Sequence, residues 1–292
     1  VWLLRILVTG ASGMLGRALI NKLQQTGFEY MATDVNDVSS DVTELDITDF
    51  TRVMSAVKDY RPDVVINAAA FTDVDGCEAD RDTAFRVNAL GPRNLAVACE
   101  DVGAALVQIS TDYVFSGQSN TPYNEYSPTG PLNVYGWSKL AGEMNVCHHT
   151  KRFYIVRTAW LFGRWGKNFV STILRLAKEQ RLLSVVDDQV GSPTYAADLA
   201  KAIVQLIKEP SYGIYHITNS GTCSWYRFAQ VILEEAGIDN VELRPVSTRE
   251  SNRLALRPAN SVLENHNWVL HGNEPLRHYR EALQEYIKEE SK

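Results

Sequence analysis

The sequence predicts an α/β fold, a doubly wound parallel sheet with a smaller α/β C-terminal lobe, on three observations. Apolar, β-branched runs alternate with helical patterns through the first half of the chain. The runs at 6–8, 64–66 and 105–109 are almost wholly apolar, as expected where helices cover both faces of a parallel sheet. A glycine-rich turn follows the first of these runs and opens the first helical pattern.

In order, residues 5–9 read as a strand that runs straight into Thr9-Gly10. Residues 13–25 read as a helix and 29–34 as a second strand ending on Asp34. A helix at 50–59, a strand at 63–68, one long helix over 81–101 and a strand at 104–110 repeat the unit. A helix over 134–148 and a strand at 154–158 continue it. Beyond Trp160 the alternation weakens. Turn-rich stretches, Asp187-Asp188-Gln189-Val190-Gly191-Ser192-Pro193 and Arg244-Pro245-Val246, separate short helices at 168–179, 197–208, 225–236 and 274–289. The expected division is a dinucleotide-binding domain over 1–158, rejoined by 194–210, and a substrate lobe made mainly of 159–292.

Composition excludes several classes. The 292 residues carry a net charge of −6 with no dense Lys/Arg cluster, so no nucleic-acid surface is expected. No apolar run approaches the roughly 18 residues that cross a bilayer. The first eight residues read as a buried strand rather than a signal peptide. Cys77, Cys99, Cys147 and Cys223 are too scattered for a disulfide framework, and reduced thiols in a cytoplasmic protein are the simpler expectation. Cys147-His148-His149 has no partner pair at ligand spacing, so no metal is expected.

Gly10-Ala11-Ser12-Gly13-Met14-Leu15-Gly16 has the chemistry of a dinucleotide turn, with a G-x-x-G-x-x-G spacing. Glycines permit the tight turn and a close backbone approach to a pyrophosphate, and a helix N-terminus offers free N–H groups. A purely structural strand–helix turn is the competing reading of such a pattern alone. Asp34 lies 18 residues past Gly16, where a carboxylate accepts from a ribose 2′-hydroxyl and repels a 2′-phosphate. No arginine follows in Val35-Asn36-Asp37, so of NADH and NADPH the sequence leans towards NADH.

Tyr135-Gly136-Trp137-Ser138-Lys139 sets a phenol and an amine on one helix face, one turn apart. An ammonium there is expected to pull the phenol's pKa down from about 10. Such a tyrosine can deliver a proton to a carbonyl oxygen. Ser110-Thr111-Asp112-Tyr113 sits just past an apolar strand, where a hydroxyl can hold the same oxygen. Asn67-Ala68-Ala69-Ala70 ends the preceding strand with small residues that let a flat cofactor lie close.

With Asn88 in the following helix, these motifs make the sequence resemble the extended short-chain dehydrogenase/reductases, which share the Rossmann-type sheet. Within them it resembles the dTDP-4-dehydrorhamnose reductase family. Matching stretches run nearly the whole length, from Ser110-Thr111-Asp112-Tyr113-Val114-Phe115 through Arg157-Thr158-Ala159-Trp160 to Arg257-Pro258. The resemblance implies Thr111, Tyr135 and Lys139 as catalytic residues. It implies cofactor contacts from Gly10, Ser12, Gly13, Met14, Leu15, Gly16, Asp34, Asp46, Ile47, Ala68, Ala69, Ala70 and Asn88, besides Tyr135 and Lys139. Substrate contacts are implied for Asp112, Tyr113, Trp160, Asn168 and Arg257, with Arg257 gripping a diphosphate. Asn168 competes as a helix cap, Trp160 as a core residue and Arg257 as a plain surface arginine.

The implied activity is NAD(P)H-dependent reduction of the C4 keto group of a nucleotide-linked 6-deoxy-4-keto-hexose, with dTDP-4-dehydro-L-rhamnose as substrate. Two alternatives share the scaffold: a non-catalytic regulatory subunit resembling the methionine adenosyltransferase β subunit, and a nucleotide-sugar epimerase. The acids at 76–82 and 288–292 match no magnesium-binding cluster securely, so magnesium dependence and a homodimer both stay open.

Overall fold

The computed structural model describes residues 3–36 and 40–290; Asp37 and the two residues at each terminus, named above, lie outside them. The chain begins β1 (Arg5–Thr9), α1 (Met14–Gln24), β2 (Glu29–Asp34), β3 (Thr43–Glu44), α2 (Phe50–Tyr60) and β4 (Val64–Asn67). Two short helices, α3 (Val74–Ala79) and α4 (Arg81–Phe85), lead through a π-helical turn at Arg86–Leu90 into α5 (Gly91–Val102). Then come β5 (Ala105–Thr111), α6 (Val134–His149) and β6 (Phe153–Thr158). After β7 (Leu161–Phe162) follow α7 (Phe169–Glu179), β8 (Leu182–Val186), β9 (Val190–Gly191), β10 (Thr194–Tyr195) and α8 (Ala196–Leu206). The remainder is β11 (Gly213–His216), β12 (Cys223–Ser224), α9 (Trp225–Glu235), β13 (Glu242–Val246), α10 (His266–Leu270) and α11 (Tyr279–Glu290).

Seven strands form one parallel sheet in the order β11-β6-β5-β4-β1-β2-β3. The expected doubly wound class is therefore met. Alternate residues of each central strand enter opposite cores, because side chains on a strand point to opposite faces. Ile6, Val8, Val64, Ile66 and Val107 pack under α1 and α8, while Leu7, Val65 and Leu106 pack under α2 and α5. Both sets are buried, which is why these strands read as continuous apolar runs rather than alternating ones. A third core joins α7, α9 and α11 through Val170, Ile173, Phe228, Ile232 and Leu283.

Three sequence expectations need correction. The long helix 81–101 is interrupted, because the π-helical turn at Arg86–Leu90 inserts extra backbone beside α6. The last helix starts at Tyr279 rather than 274: Pro275 biases Glu274 away from helix, and the Glu274 carbonyl accepts the Trp268 indole N–H at 2.8 Å. Arg244-Pro245-Val246, read as a turn, lies in β13, which among the described residues pairs with β8 alone. Pro245 is tolerated on such an edge, where no ladder N–H is needed. Among the described residues no helix is long and apolar enough to cross a membrane.

Candidate active site

The strand ends that frame the crevice are locked together by buried polar groups. Thr9 donates its hydroxyl to Asn67 Oδ1 at 2.6 Å, and Asn67 Nδ2 donates to Gln108 Oε1 at 2.7 Å. Asn67 Oδ1 also accepts the Ala69 amide at 3.2 Å, fixing the half-buried Ala68-Ala69-Ala70 segment beyond β4.

This segment meets the glycine turn. Gly10 has φ +69°, and a Cβ on it would lie 2.4 Å from the Ala69 nitrogen, so only glycine fits. A Cβ on Gly16 would lie 2.1 Å from the Gly10 carbonyl oxygen, which sets how closely α1 packs on the turn. Gly13 is exposed and meets only that carbonyl, at 3.3 Å, so its freedom serves the open side of the turn. The N-terminus of α1 has no side-chain cap and no acid in its first turn, leaving the amides about Met14 and Leu15 and the helix dipole for an anion. Asp34 accepts the amides of Ser12 and Asn36, each at 2.9 Å, at the edge of this cradle. An anion-binding turn beside a carboxylate suits the pyrophosphate and adenosine ribose of a dinucleotide. Asp46 accepts the Thr48 amide at 2.8 Å, while Asp49 caps α2; Ile47 is buried against Gly91.

The helix that carries Tyr135 is fastened at its start. Asn133 Oδ1 accepts the Gly136 amide at 2.8 Å, Asn133 Nδ2 donates to the Leu256 carbonyl at 2.7 Å, and Glu78 accepts the Val134 amide at 2.9 Å. Two glycines set its depth. A Cβ on Gly136 would lie 2.2 Å from the Tyr113 carbonyl oxygen, and one on Gly142 would lie 2.2 Å from the Asn88 carbonyl oxygen. Asn88, fully buried, exchanges hydrogen bonds with the Phe71 backbone at 2.9 Å in both directions and donates to Ser138 Oγ at 3.0 Å. Its side chain therefore clamps the crevice loop to α6.

Thr111 ends β5; its hydroxyl donates to Asp112 Oδ1 at 3.0 Å and accepts the Tyr113 amide at 3.1 Å, and it neighbours the Tyr135 phenol. Ser110, the neighbouring candidate, points the other way and donates to Glu143 at 2.5 Å. Lys139 is buried and donates Nζ to the Ile109 carbonyl at 2.6 Å. Burial lowers its pKa to about 8, against the opposing pull of Glu143.

The expected lowering of the Tyr135 pKa is overturned. Burial raises the phenol's pKa well above its ordinary value, opposed by the neighbouring Thr111 hydroxyl and reinforced by Asp112. Lys139 is engaged with the Ile109 carbonyl, and burial of the ring outweighs charge effects. Asp112 is 2% exposed, its Oδ2 has no hydrogen-bond partner among the described residues, and burial raises its pKa to about 6 against the opposing effect of the neighbouring Ser261 hydroxyl. Tyr113 meets Tyr135 edge-on, ring centroids 5.7 Å apart.

The remaining expected substrate residues spread around this centre. Trp160 has φ +46° and stacks on Trp225, centroids 3.4 Å apart and planes within 5°. A Cβ on Gly191 would lie 2.3 Å from the Trp160 ring, so the indole is enclosed from that side as well. Asn168 caps α7 in a reciprocal capping box with Ser171 and donates Nδ2 to the Gly163 carbonyl at 2.9 Å. Arg257 grips Asp75 with two hydrogen bonds of 3.0 Å. A concavity of about 760 Å³ between α1, α8 and α11 contains none of these site residues and belongs to the outer surface. Sequence reasoning gave no role to Asn133, Gly136, Ser138, Gly142, Glu143 or Arg157, although Gly136, Ser138 and Arg157 stand in the motifs quoted above. Asn133 carried a cap signal and Gly142 a helix-interior glycine; Ser138 and the Glu143–Arg157 ion pair gave none.

A glycine turn and the Thr111, Tyr135 and Lys139 side chains at the ends of one parallel sheet are the arrangement expected of an extended short-chain dehydrogenase/reductase. The chain belongs to the RmlD substrate binding domain family, whose model matches residues 4–292. It is 46% identical to a dTDP-4-dehydrorhamnose reductase of Streptomyces griseus, covering 96% of this chain and 92% of that protein. It is 44% identical to the spore coat polysaccharide biosynthesis protein SpsK of Bacillus subtilis, covering 98% of each. A dTDP-4-dehydrorhamnose reductase from Bacillus anthracis, solved in complex with NADP, superposes with a TM-score of 0.92 at 41% identity over 99% of this chain and 100% of that one.

Proposed function

We propose that this chain is an NAD(P)H-dependent reductase of the C4 keto group of a nucleotide-linked 6-deoxy-4-keto-hexose, converting dTDP-4-dehydro-L-rhamnose to dTDP-L-rhamnose. The observation that carries the reading is that the Thr111 hydroxyl at the end of β5 neighbours the Tyr135 phenol of α6, with Lys139 one helical turn on and the glycine cradle at the end of β1. Full-length similarity to reductases of this name supports the substrate class.

Gly10, Ser12, Gly13, Met14, Leu15 and Gly16 would hold the pyrophosphate. Asp34 would take the adenosine ribose, Asp46 and Ile47 the adenine, and Ala68, Ala69 and Ala70 the ring faces beyond β4. Asn88 acts by holding that loop against α6. When bound, the reduced nicotinamide supplies hydride to the carbonyl carbon of the sugar. Tyr135 then gives its phenolic proton to O4, and Thr111 donates a hydrogen bond to the same oxygen. The phenol is protonated in the free protein, as an acid working in this direction must be. Lys139 stabilises the phenolate left behind. Asp112, whose buried Oδ2 has no partner among the described residues, is suited to accept a sugar hydroxyl, and Tyr113 and Trp160 would border the ring. Arg257 would meet the diphosphate, and Asn168 would act on the pocket through the start of α7.

On cofactor choice, a carboxylate at the end of β2 would repel a 2′-phosphate, and the reading keeps a preference for NADH on Asp34. The division into a dinucleotide domain over 1–158 with 194–210, and a substrate lobe from the rest, is part of the same reading, as is a cytoplasmic setting. A homodimer is left to solution measurement.

The test is oxidation of NADH and of NADPH at 340 nm with enzymatically prepared dTDP-4-dehydro-L-rhamnose, with Tyr135→Phe as control. Turnover abolished in the variant is expected. Cofactor binding without turnover on this or related keto-sugars would instead favour a regulatory, partner-binding role.

A further inference from the structure

Behind Lys139 lies a buried polar chain that the proposed chemistry does not use. Glu143, one turn further along α6, is 3% exposed. Its Oε1 accepts Ser110 Oγ at 2.5 Å and Arg157 Nε at 2.9 Å, and its Oε2 accepts Arg157 Nη2 at 2.6 Å. Arg157, equally buried on β6, places Nη1 3.4 Å from His216 Nε2 on β11. His216 Nδ1 lies 3.0 Å from the Tyr123 carbonyl oxygen, and burial beside Arg157 keeps the imidazole neutral, its pKa near 3. The guanidinium also covers the Phe115 ring at 5.2 Å.

A buried ion pair of this kind is a weak source of stability, since apolar residues of the same shape often serve as well. Its position supplies another role. Ser110 immediately precedes Thr111, and Glu143 is four residues from Lys139 and eight from Tyr135. One carboxylate thus joins the strand end bearing the hydroxyl to the helix bearing the phenol and the amine.

The charged and titratable groups about Lys139 come from three further elements besides its own helix. Tyr135 and Glu143 share α6, Cys77 comes from α3, Arg157 stands behind Glu143 on β6, and Asp112 follows β5 beyond Tyr135. Of these, Glu143 is the strongest influence favouring the ammonium. Cys77 is buried, with its pKa raised to about 11, so it stays a neutral thiol at physiological pH.

We propose that Glu143, held by Arg157 and Ser110 one helical turn from Lys139, is a positioning residue that fixes the strand end bearing Thr111 against the helix bearing Tyr135 and Lys139. The inference rests on the reductase reading of Thr111, Tyr135 and Lys139. Arg157 orients the carboxylate through its fork, and Ser110 transmits that position to the strand end.

The first measurement is independent of turnover. Lysine labelled with ¹³C at Cε is titrated by NMR in the cofactor-free protein, with the Lys139 signal assigned through Lys139→Met. In Glu143→Gln, which keeps the shape of the side chain, the Lys139 midpoint should fall by about one unit or more. Because Arg157 is then left uncompensated and buried, the charge-neutral double variant Glu143→Leu/Arg157→Met is measured beside it. It should show the same direction of shift, and it carries the test if the single variant does not fold. The second measurement is the pH dependence of kcat/KM with the keto-sugar, where the alkaline limb should move to lower pH in both variants. An unmoved Lys139 midpoint in a folded variant overturns the proposal, and so does an unmoved alkaline limb alongside a shifted midpoint. If the unaltered protein turns over no keto-sugar, the reductase reading fails, while the NMR titration still judges Glu143.

Discussion

Arg257 and Asp75, 182 residues apart in sequence, face each other through two parallel hydrogen bonds of 3.0 Å. Asp75 also accepts the Ala255 amide at 2.9 Å, so one carboxylate pins both the guanidinium and the loop that delivers it. These bonds hold the Asp75 carboxyl below the ordinary carboxylate range. If Arg257 meets the substrate diphosphate, Asp75 sets where its free edge points. Arg257→Ala should raise KM for the nucleotide-sugar roughly tenfold or more with kcat within a few-fold, given about 1.5–3 kcal/mol for a charged hydrogen-bonded contact. Asp75→Asn should raise KM in the same direction by less. Steady-state kinetics on both variants decide it; an unchanged KM in Arg257→Ala removes the arginine from the pocket.

Thr111→Val and Tyr135→Phe remove the two hydroxyls at the strand end without changing side-chain shape much. Each should lower kcat by roughly 10²-fold or more, Tyr135→Phe the further, because proton delivery is lost outright. Cofactor affinity, followed by fluorescence titration, should stay within a few-fold. A Tyr135→Phe enzyme retaining most of its kcat would remove the phenol from the mechanism.

Asp112 makes a prediction about stability and pH. Its folded pKa of about 6 lies above the ordinary value of 3.8, so folding favours the protonated form. The resulting destabilisation is absent below the unfolded pKa, grows as pH rises from there and is fully present above about 6. Asp112→Asn should therefore raise Tm at pH 8, by at most about 3 kcal/mol of stability, and the gain should vanish near pH 4. The same variant should lose activity. Thermal melts at the two pH values check this, and a gain equal at both would mean that burial of the charge is not the cause.

Gly136→Ala places a methyl 2.2 Å from the Tyr113 carbonyl oxygen, directly beside Tyr135. The helix must shift outward, and a displacement of about 1 Å at a reacting group can lower kcat about 10²-fold. The loss of stability should stay near 1–3 kcal/mol, as for other overpacked sites. Parallel measurement of kcat and urea midpoint tests the claim, which a normal kcat in the folded variant would refute.

The Trp160–Trp225 stack should produce a pair of opposed far-ultraviolet circular dichroism bands, from exciton coupling of the two indoles, that Trp225→Phe abolishes. Addition of the nucleotide-sugar should perturb those bands if Trp160 borders the ring. A spectrum indifferent to the sugar places the stack wholly in the lobe core.

Much of the fold was legible because its signals are local. The apolar runs at 6–8, 64–66 and 105–109 can satisfy water exclusion only between two helical layers, and they pair in parallel as that pattern demands. The 10–16 turn announces itself because a positive φ and a Cβ-free approach leave glycine as the fitting residue. Tyr135 and Lys139 are one helical turn apart, and a strand end at Thr111 could be read from the apolar run before it. β11 and β13 were not legible. Each is short, each lies between turn residues, and each becomes a strand only because β6 or β8 offers it an edge.

The sequence by itself determined the central strands of the sheet, the glycine turn and the spacing of Tyr135 and Lys139, since these depend on backbone conformation and on spacing within single elements. Only the tertiary structure decided which hydroxyl meets Tyr135, that Arg257 is bound to Asp75, and that Glu143, Arg157 and Ser110 close behind Lys139. It also decided the direction of the Tyr135 pKa, which spacing alone had suggested should fall. The physical reason is the same in each case. Burial and ion pairing are set by every element that packs around a group, and those elements come from chain positions far from the motif that names it.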